Sequence, residues 1–222
     1  MHTIFEILKE YNQAFGSGLK VTLNICLIVW SSGFFFGLML ALLAYKFPTP
    51  FYYLFTSITL LLIAVPFLVT LYLFHYPFQS LINQNIDPFI TATFTLSLIN
   101  SFLVYQLLIG SLREFPQQFI NAAKVCGLSA NQIIFKVQIP LILRQFIPGF
   151  MMLQVFMLQS SIFASLISVP EIFRKAQQIN SIVQKPVEIY TAMALFFVVV
   201  CLPVYVIAFW LRRKYSRDLS EA

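Results

Sequence analysis

Five stretches of this chain carry no formal charge: Val21–Tyr45, Phe47–Ile86, Pro88–Leu112, Gln145–Pro170 and Ile189–Leu211, between 23 and 40 residues each. No other feature restricts the fold so severely. A helix rising about 1.5 Å per residue needs roughly 20 apolar residues to cross a hydrocarbon core about 30 Å thick, so every window is long enough to span a bilayer. In hydrocarbon the backbone must satisfy its own hydrogen bonds, which leaves helices or a closed barrel. Barrel strands would read as ten-residue alternations of apolar and polar residues, whereas Leu60–Phe74 is nearly unbroken apolar sequence. Composition agrees, because 59% hydrophobic against 10% charged residues cannot coat a water-soluble globule of 222 residues.

The expected architecture is therefore an all-α membrane protein with five transmembrane helices. The first span, about Val21–Tyr45, stops at Lys46 and the Pro48-Thr49-Pro50 turn. The second, about Tyr52–Phe74, contains Pro66 and is expected to kink there, with the polar stretch His75–Pro88 as a loop behind it. The third is Pro88–Leu112, the fourth Gln145–Val169 and the fifth Ile189–Leu211, followed by Arg212, Arg213, Lys214 and Arg217. Residues 1–20 intersperse Ile4, Phe5, Leu8, Tyr11 and Phe15 with Glu6, Lys9, Glu10 and Lys20, the spacing of an amphipathic helix at the interface. The membrane body is then 21–215 and the tail 216–222. The apolar run after residue 20 is about twice a signal-peptide h-region and lacks a small-residue cleavage pattern, so it reads as a span.

Lys and Arg remain on the cytoplasmic side because translocating them is unfavourable. With the C-terminus inside, nine basic residues are cytoplasmic (Lys46, Arg113, Lys124, Lys136, Arg144, Arg212, Arg213, Lys214, Arg217) and five external (Lys9, Lys20, Arg174, Lys175, Lys185). The expected orientation is N-terminus outside, C-terminus cytoplasmic. Within the first span Gly33 and Gly37 form a small-xxx-small step, extended by Ala41, that lets a second helix approach closely.

Several function classes drop out. The net charge of +6 resides at helix ends rather than on a basic face interleaved with aromatics, so no nucleic-acid partner is expected. Cys26, Cys126 and Cys201 have no metal-ligand spacing and read as small apolar filler. Two distant histidines and spans without acids assemble neither a metal site nor a nucleophile with its base, so the chain is not expected to be an enzyme. Only seven glycines are present and no phosphate-cradling Gly-x-x-x-x-Gly-Lys, so any ATP must be bound elsewhere.

The most informative segment is Arg113–Arg144, the longest cytoplasmic stretch in this orientation. Pro116 opens it, and Asn121 to Cys126 read as a short helix stopped by Gly127. Ser129 is placed to cap a second helix through Phe135 and Val137 to Pro140. Two short helices at an angle are expected, with Ala122 and Ala123 forming a flat face suited to docking under another protein.

Asn121-Ala122-Ala123, Gly127, Val137 and Ile139-Pro140 resemble the EAA loop of ATP-binding-cassette importer permeases, and the spacing matches throughout. Nearly the whole chain is similar to the polar amino-acid subfamily, which includes histidine and glutamine permeases. Gly16 to Thr22, the Gly33 to Ala41 strip, Pro66-Phe67-Leu68-Val69 and Ser168-Val169-Pro170-Glu171-Ile172 carry the likeness. The resemblance implies the type I ABC importer permease fold in a bacterial inner membrane. It also implies a separate ATPase subunit holding ATP and Mg, with no cofactor on this chain, a second permease chain, and an external solute-binding protein. ATP-driven closure of the ATPase pair would rock the spans between inward- and outward-facing states through the loop.

Charges of the family pattern are missing here. Asn121 stands where the loop begins with Glu; Gln106 and Ile109 stand for a third-span Glu and Arg, and Ile63 for an Arg before the second-span proline. Gln159, Ser160, Ser161 and Ile162 stand where the family has Lys, Asp or Asn, Thr and Ser. A zwitterion is expensive to bury without charged partners, and only Asn100, Gln106, Gln154, Gln159, Ser160 and Ser161 offer hydrogen bonds along a solute pathway, unless they are polar glue between helices. A less charged substrate, a partner chain that does the binding, or lost transport would each explain the deficit; a heteromeric permease pair is favoured over a homodimer. The competing classes are a membrane scaffold subunit and a secondary transporter, the latter disfavoured because the spans hold no Asp, Glu, Lys or Arg relay.

Overall fold

A computed structural model describes residues 4–47 and 49–220, with side chains as far as Tyr215. Pro48, expected in the turn after the first span, lies outside the described residues, as do residues 1–3, residues 221–222 and the Arg217 side chain. The described residues form eleven α-helices: α1 (Ile4–Glu10), α2 (Asn12–Lys46), α3 (Pro50–Ala64), α4 (Phe67–His75), α5 (Pro77–Ile82), α6 (Pro88–Arg113), α7 (Gln117–Val125), α8 (Ala130–Ile133), α9 (Ile139–Ser160), α10 (Ile172–Val183) and α11 (Pro186–Ser220). A π-helical turn, Ile134–Gln138, joins α8 to α9, and α9 tightens into a 3-10 helix over Ser161–Ile167. By length and apolarity four helices can cross a membrane, and the bent α3–α5 pair supplies up to a fifth.

Several elements differ from the expected ones, and the stretch His75–Pro88, expected as a loop, carries the short helix α5. The separate amphipathic helix is confined to α1, because α2 runs without a break from Asn12 through the expected junction at residue 20. The second span is broken rather than kinked: Val65 and Pro66 are both extended (ψ 126 and 136), and the two halves meet at 98°. Proline disfavours helical geometry in the residue before it and offers no N–H to the preceding turn, so two adjacent residues leave the helix together. The short helix expected to stop at Pro140 continues into the fourth span, which begins well before Gln145. There the Ile139 N–H reaches back to the carbonyl of Ile134. That wide turn accommodates a ring which would otherwise collide with the carbonyl four residues earlier.

α6 is the most enclosed of the four long helices and α11 the least. Asp87 caps α6 by accepting from the Phe89 N–H at 2.7 Å, with Pro88 in the first turn. One end of the bundle is filled by Ile25, Val29, Leu71, Leu96, Met157 and Ile167. The other is filled by Ala41, Phe55, Val104, Tyr105, Ile142 and Phe146. α2 lies directly on α6: a Cβ on Gly33 would overlap the carboxamide of Asn100, and one on Gly37 would sit 2.6 Å from Val104 Cβ and 2.8 Å from the Ser101 carbonyl. The small-residue step therefore makes the close helix contact expected of it. Hydroxyls within the spans mostly turn back onto their own helix, as Thr59 does on Phe55 (2.7 Å) and Thr95 on Thr91 (2.8 Å), which satisfies them without water.

Candidate functional site

The bent segment between α6 and α9 is built from both of its ends. The Arg113 guanidinium lies 3.4 Å from the centre of the Tyr52 ring, fastening the end of α6 to α3. Phe115 is buried among Ala41, Ala44, Ile142 and Phe146, so the chain enters α7 from an anchored point. α7 then presents two faces. Phe119, Ile120 and Ala123 face inward, with Phe119 and Ile120 packed against the core that holds Phe115 and Ile142, while Asn121, Ala122, Lys124 and Val125 face out. Of the two alanines expected to form a flat docking face, only Ala122 is exposed; Ala123 is 7% exposed and sits under the helix. The two stand about 100° apart around the helix, enough for the inward face to take in Ala123 and leave Ala122 outside it.

Gly127 terminates α7 at φ +80, the left-handed region that L side chains rarely occupy. Its N–H reaches the Lys124 carbonyl (2.9 Å) and the Leu128 N–H reaches that of Ala123 (3.1 Å). This is the paired closure of a Schellman motif. Ser129 caps the next helix as expected, and a reciprocal bond from its own N–H to Gln132 Oε1 (2.9 Å) completes a capping box. Val137 packs against the same core, Ile139 is exposed, and Pro140 occupies the first turn of α9. Sequence reasoning missed the two most prominent features of the outer surface, Val125 at 89% and Phe135 at 69% exposed. Their signal was available, since an apolar residue on the polar face of a short helix has no core to enter.

The six pathway candidates do not gather in one place. Asn100 and Gln154 meet inside the bundle: Asn100 Nδ2 donates to the Val29 carbonyl (2.9 Å) and to Gln154 Oε1 (3.2 Å), tying α6 to α2 and α9. Trp30, which the sequence did not single out, donates its indole N–H to the Gln154 carbonyl at 3.1 Å. Asn100 Oδ1 and Gln154 Nε2 are enclosed without a partner, an acceptor and a donor from one linked amide pair. Ser160 and Ser161 are buried and donate to the carbonyls of Phe156 (2.8 Å) and Leu158 (2.7 Å) on their own helix. Gln159 lies partly buried near Cys201. Gln106 is exposed and lines a groove of about 440 Å³ between α6 and α9 with Glu114 and Gln145.

Beyond the fourth span, Glu171 is completely buried and caps α10, accepting from the N–H groups of Phe173 (2.8 Å) and Arg174 (2.7 Å). Burial pushes its carboxyl up from 4.5 to about 7, and the two backbone bonds only partly oppose this. A carboxyl that binds its proton more tightly when folded adds stability below its unfolded value, lost as pH rises towards about 7. Thermal unfolding midpoints of the purified protein are expected to fall between pH 5 and pH 8, and Glu171→Gln should flatten that dependence. An unchanged slope in the variant would assign the titration elsewhere.

Over residues 33–217 the sequence matches the family described as binding-protein-dependent transport system inner membrane component. Similar proteins include the probable glutamine ABC transporter permease protein GlnP of Bacillus subtilis, 30% identical over 166 residues that cover 73% of this chain and 74% of the relative. The L-cystine transport system permease protein TcyB of the same organism is 24% identical over 205 residues, 92% and 87% of the two chains. Among solved structures, an amino acid ABC transporter with histidines superposes with a TM-score of 0.82 at 23% identity, covering 93% of this chain and 96% of that one. The inward-facing MetNI methionine ABC transporter gives 0.72 at 17% identity, covering 93% and 98%. The architecture is thus that of the ABC importer permeases, as the loop motif and the colinear spans led one to expect. Membrane-spanning helices, the bent segment with its glycine stop, and a match over most of the length converge on one conclusion: the chain belongs to the family of binding-protein-dependent transport system inner membrane components.

Proposed function

We propose that this chain is the permease subunit of an inner-membrane ABC importer for polar amino acids or closely related small solutes. It works with a separate ATPase subunit that binds ATP and Mg, a second and non-identical permease chain, and an external solute-binding protein. The N-terminus lies outside and the C-terminus in the cytoplasm. The observation that carries the reading is the α7 segment, anchored by Phe115, Phe119 and Ile120 while Asn121, Ala122 and Val125 project from the bundle. A short helix gripped on one face and bare on the other transmits a push without folding away. Beyond the Gly127 bend the capping box starts α8, and the π-helical turn makes α8 continuous with α9, so displacement of the bent segment is delivered to a spanning helix. The glutamine and cystine permeases among the relatives support the solute class.

Within the membrane the Asn100–Gln154 pair is assigned to the solute pathway. Its unpartnered acceptor and donor suit one polar end of a solute, and the lack of a charged group here is why the second permease chain is given the larger share of binding. The test is reconstitution of the complete complex in proteoliposomes with the binding protein outside. ATP turnover is expected to rise several-fold with one polar amino acid and its binding protein together, accompanied by uptake. Turnover or assembly indifferent to every binding protein and amino acid tried would support a scaffold subunit instead.

A further inference from the structure

A second concave feature lies beside the first and belongs to neither the bent segment nor the amide pair. It is a groove of about 410 Å³ between the first half of α9 and the last turns of α11. Arg144 and Arg212 line its mouth together with Tyr215, and the Arg144 guanidinium lies 5.9 Å from the centre of the Tyr215 ring. Gln145 lies next to Arg144 in the lining, and the rest of the wall is Leu107 from α6 and Pro148, Gly149 and Met152 from α9. Arg144 and Met152 are eight residues apart on one helix, about 12 Å along its axis. The groove is therefore cationic and polar at the Arg144–Gln145 end and apolar from Pro148 to Met152. Lys214 lies 5.1 Å from the centre of the Trp210 ring, an aromatic and basic pairing of the kind that marks the level of lipid headgroups. That places the arginines at the membrane surface and the apolar wall at the depth of the acyl chains.

We propose that this groove is a binding site for one anionic phospholipid, its phosphate held by Arg144 and Arg212 and its acyl chain laid along Pro148 and Met152. Guanidinium groups suit phosphate oxygens, and basic pockets between spanning helices take anionic headgroups. The amphipathic shape selects a lipid over a soluble anion, because a free phosphate would leave the apolar wall uncovered. The site ties α9, which continues into the bent segment, to the peripheral α11. It requires only that the helices span a bilayer and is independent of the transported solute.

The test uses the complete purified complex in nanodiscs of phosphatidylcholine with or without 20% phosphatidylglycerol, read by thermal unfolding and by native mass spectrometry. Phosphatidylglycerol is expected to raise the unfolding temperature by several degrees and to remain bound to this chain. Arg144→Gln combined with Arg212→Gln should cut retained phosphatidylglycerol at least tenfold. Met152→Trp, which fills the wall but keeps both charges, should do the same without altering unfolding in pure phosphatidylcholine. Arg213→Gln with Lys214→Gln removes equal charge off the groove and should leave retention intact. Equal loss in that control would overturn the proposal in favour of general surface charge. Equal stabilisation by inorganic phosphate would overturn it in favour of a free-anion site, and a protein partner filling the groove in the complex would exclude the lipid altogether.

Discussion

Gly37→Leu is expected to abolish accumulation of folded protein, or to lower its unfolding temperature beyond the effect of any substitution on the membrane-facing surface. A Cβ there lies 2.6 Å from Val104 Cβ and 2.8 Å from the Ser101 carbonyl, and the second of these is backbone that cannot turn aside. Overpacking a fitted contact costs typically 1–3 kcal/mol. Here α2 and α6 would have to separate along the strip that also includes Gly33 and Ala41, so the upper end applies. Separation would take the Asn100 bond to the Val29 carbonyl with it. The control is Gly16→Leu on the same helix, where an added Cβ meets nothing within 4 Å. Size-exclusion profiles and unfolding curves in one detergent decide the matter. Equal stability of the two variants would mean that the helices do not meet at this strip.

Gly127→Asp should leave the protein inserted and folded while uptake falls at least tenfold. Open space surrounds this glycine, so the substitution meets no steric barrier, only its φ of +80. A left-handed backbone costs most side chains roughly 1–2 kcal/mol, and Asp less than most. What changes is the outer surface of the bend, which gains a carboxylate beyond Val125, the apolar residue most exposed there. ATP turnover should then continue without matching transport. Gly127→Ala separates the two causes, adding backbone strain without charge, and should reduce uptake less than Asp does. Full uptake by the Asp variant in vesicles would remove the bent segment from the mechanism.

Much of this architecture was legible because bilayer physics acts on short stretches of sequence. α6 occupies the window from Pro88 and continues one residue past Leu112 to Arg113, with Asp87 as its cap. A charge-free run in hydrocarbon has no alternative to satisfying its own backbone. Gly127 and Ser129 were legible for the same reason, since a positive φ and an unpaired helix end are local demands met by a few residue types. Pro66 and Pro140 show where local reasoning stopped. One opens a 98° break and the other is absorbed in a continuous helix. The ring removes a donor at both, but whether the freed carbonyl is recovered by widening the turn or abandoned depends on what the next helix packs against. The polar candidates were obscured likewise: a buried amide and a back-bonded serine look equally promising in sequence, and only their neighbours tell them apart.

The sequence by itself determined that this chain crosses a membrane in helices, which stretches carry the spans, and that a bent segment with a glycine stop joins the third span to the fourth. Only the tertiary structure decided that Ala123 turns inward while Val125 stands out, that Asn100 meets Gln154, and that Glu171 is buried. Helix formation and desolvation are settled within a turn or two of chain, whereas burial, orientation and pairing of a side chain are properties of surfaces contributed by residues far apart in sequence.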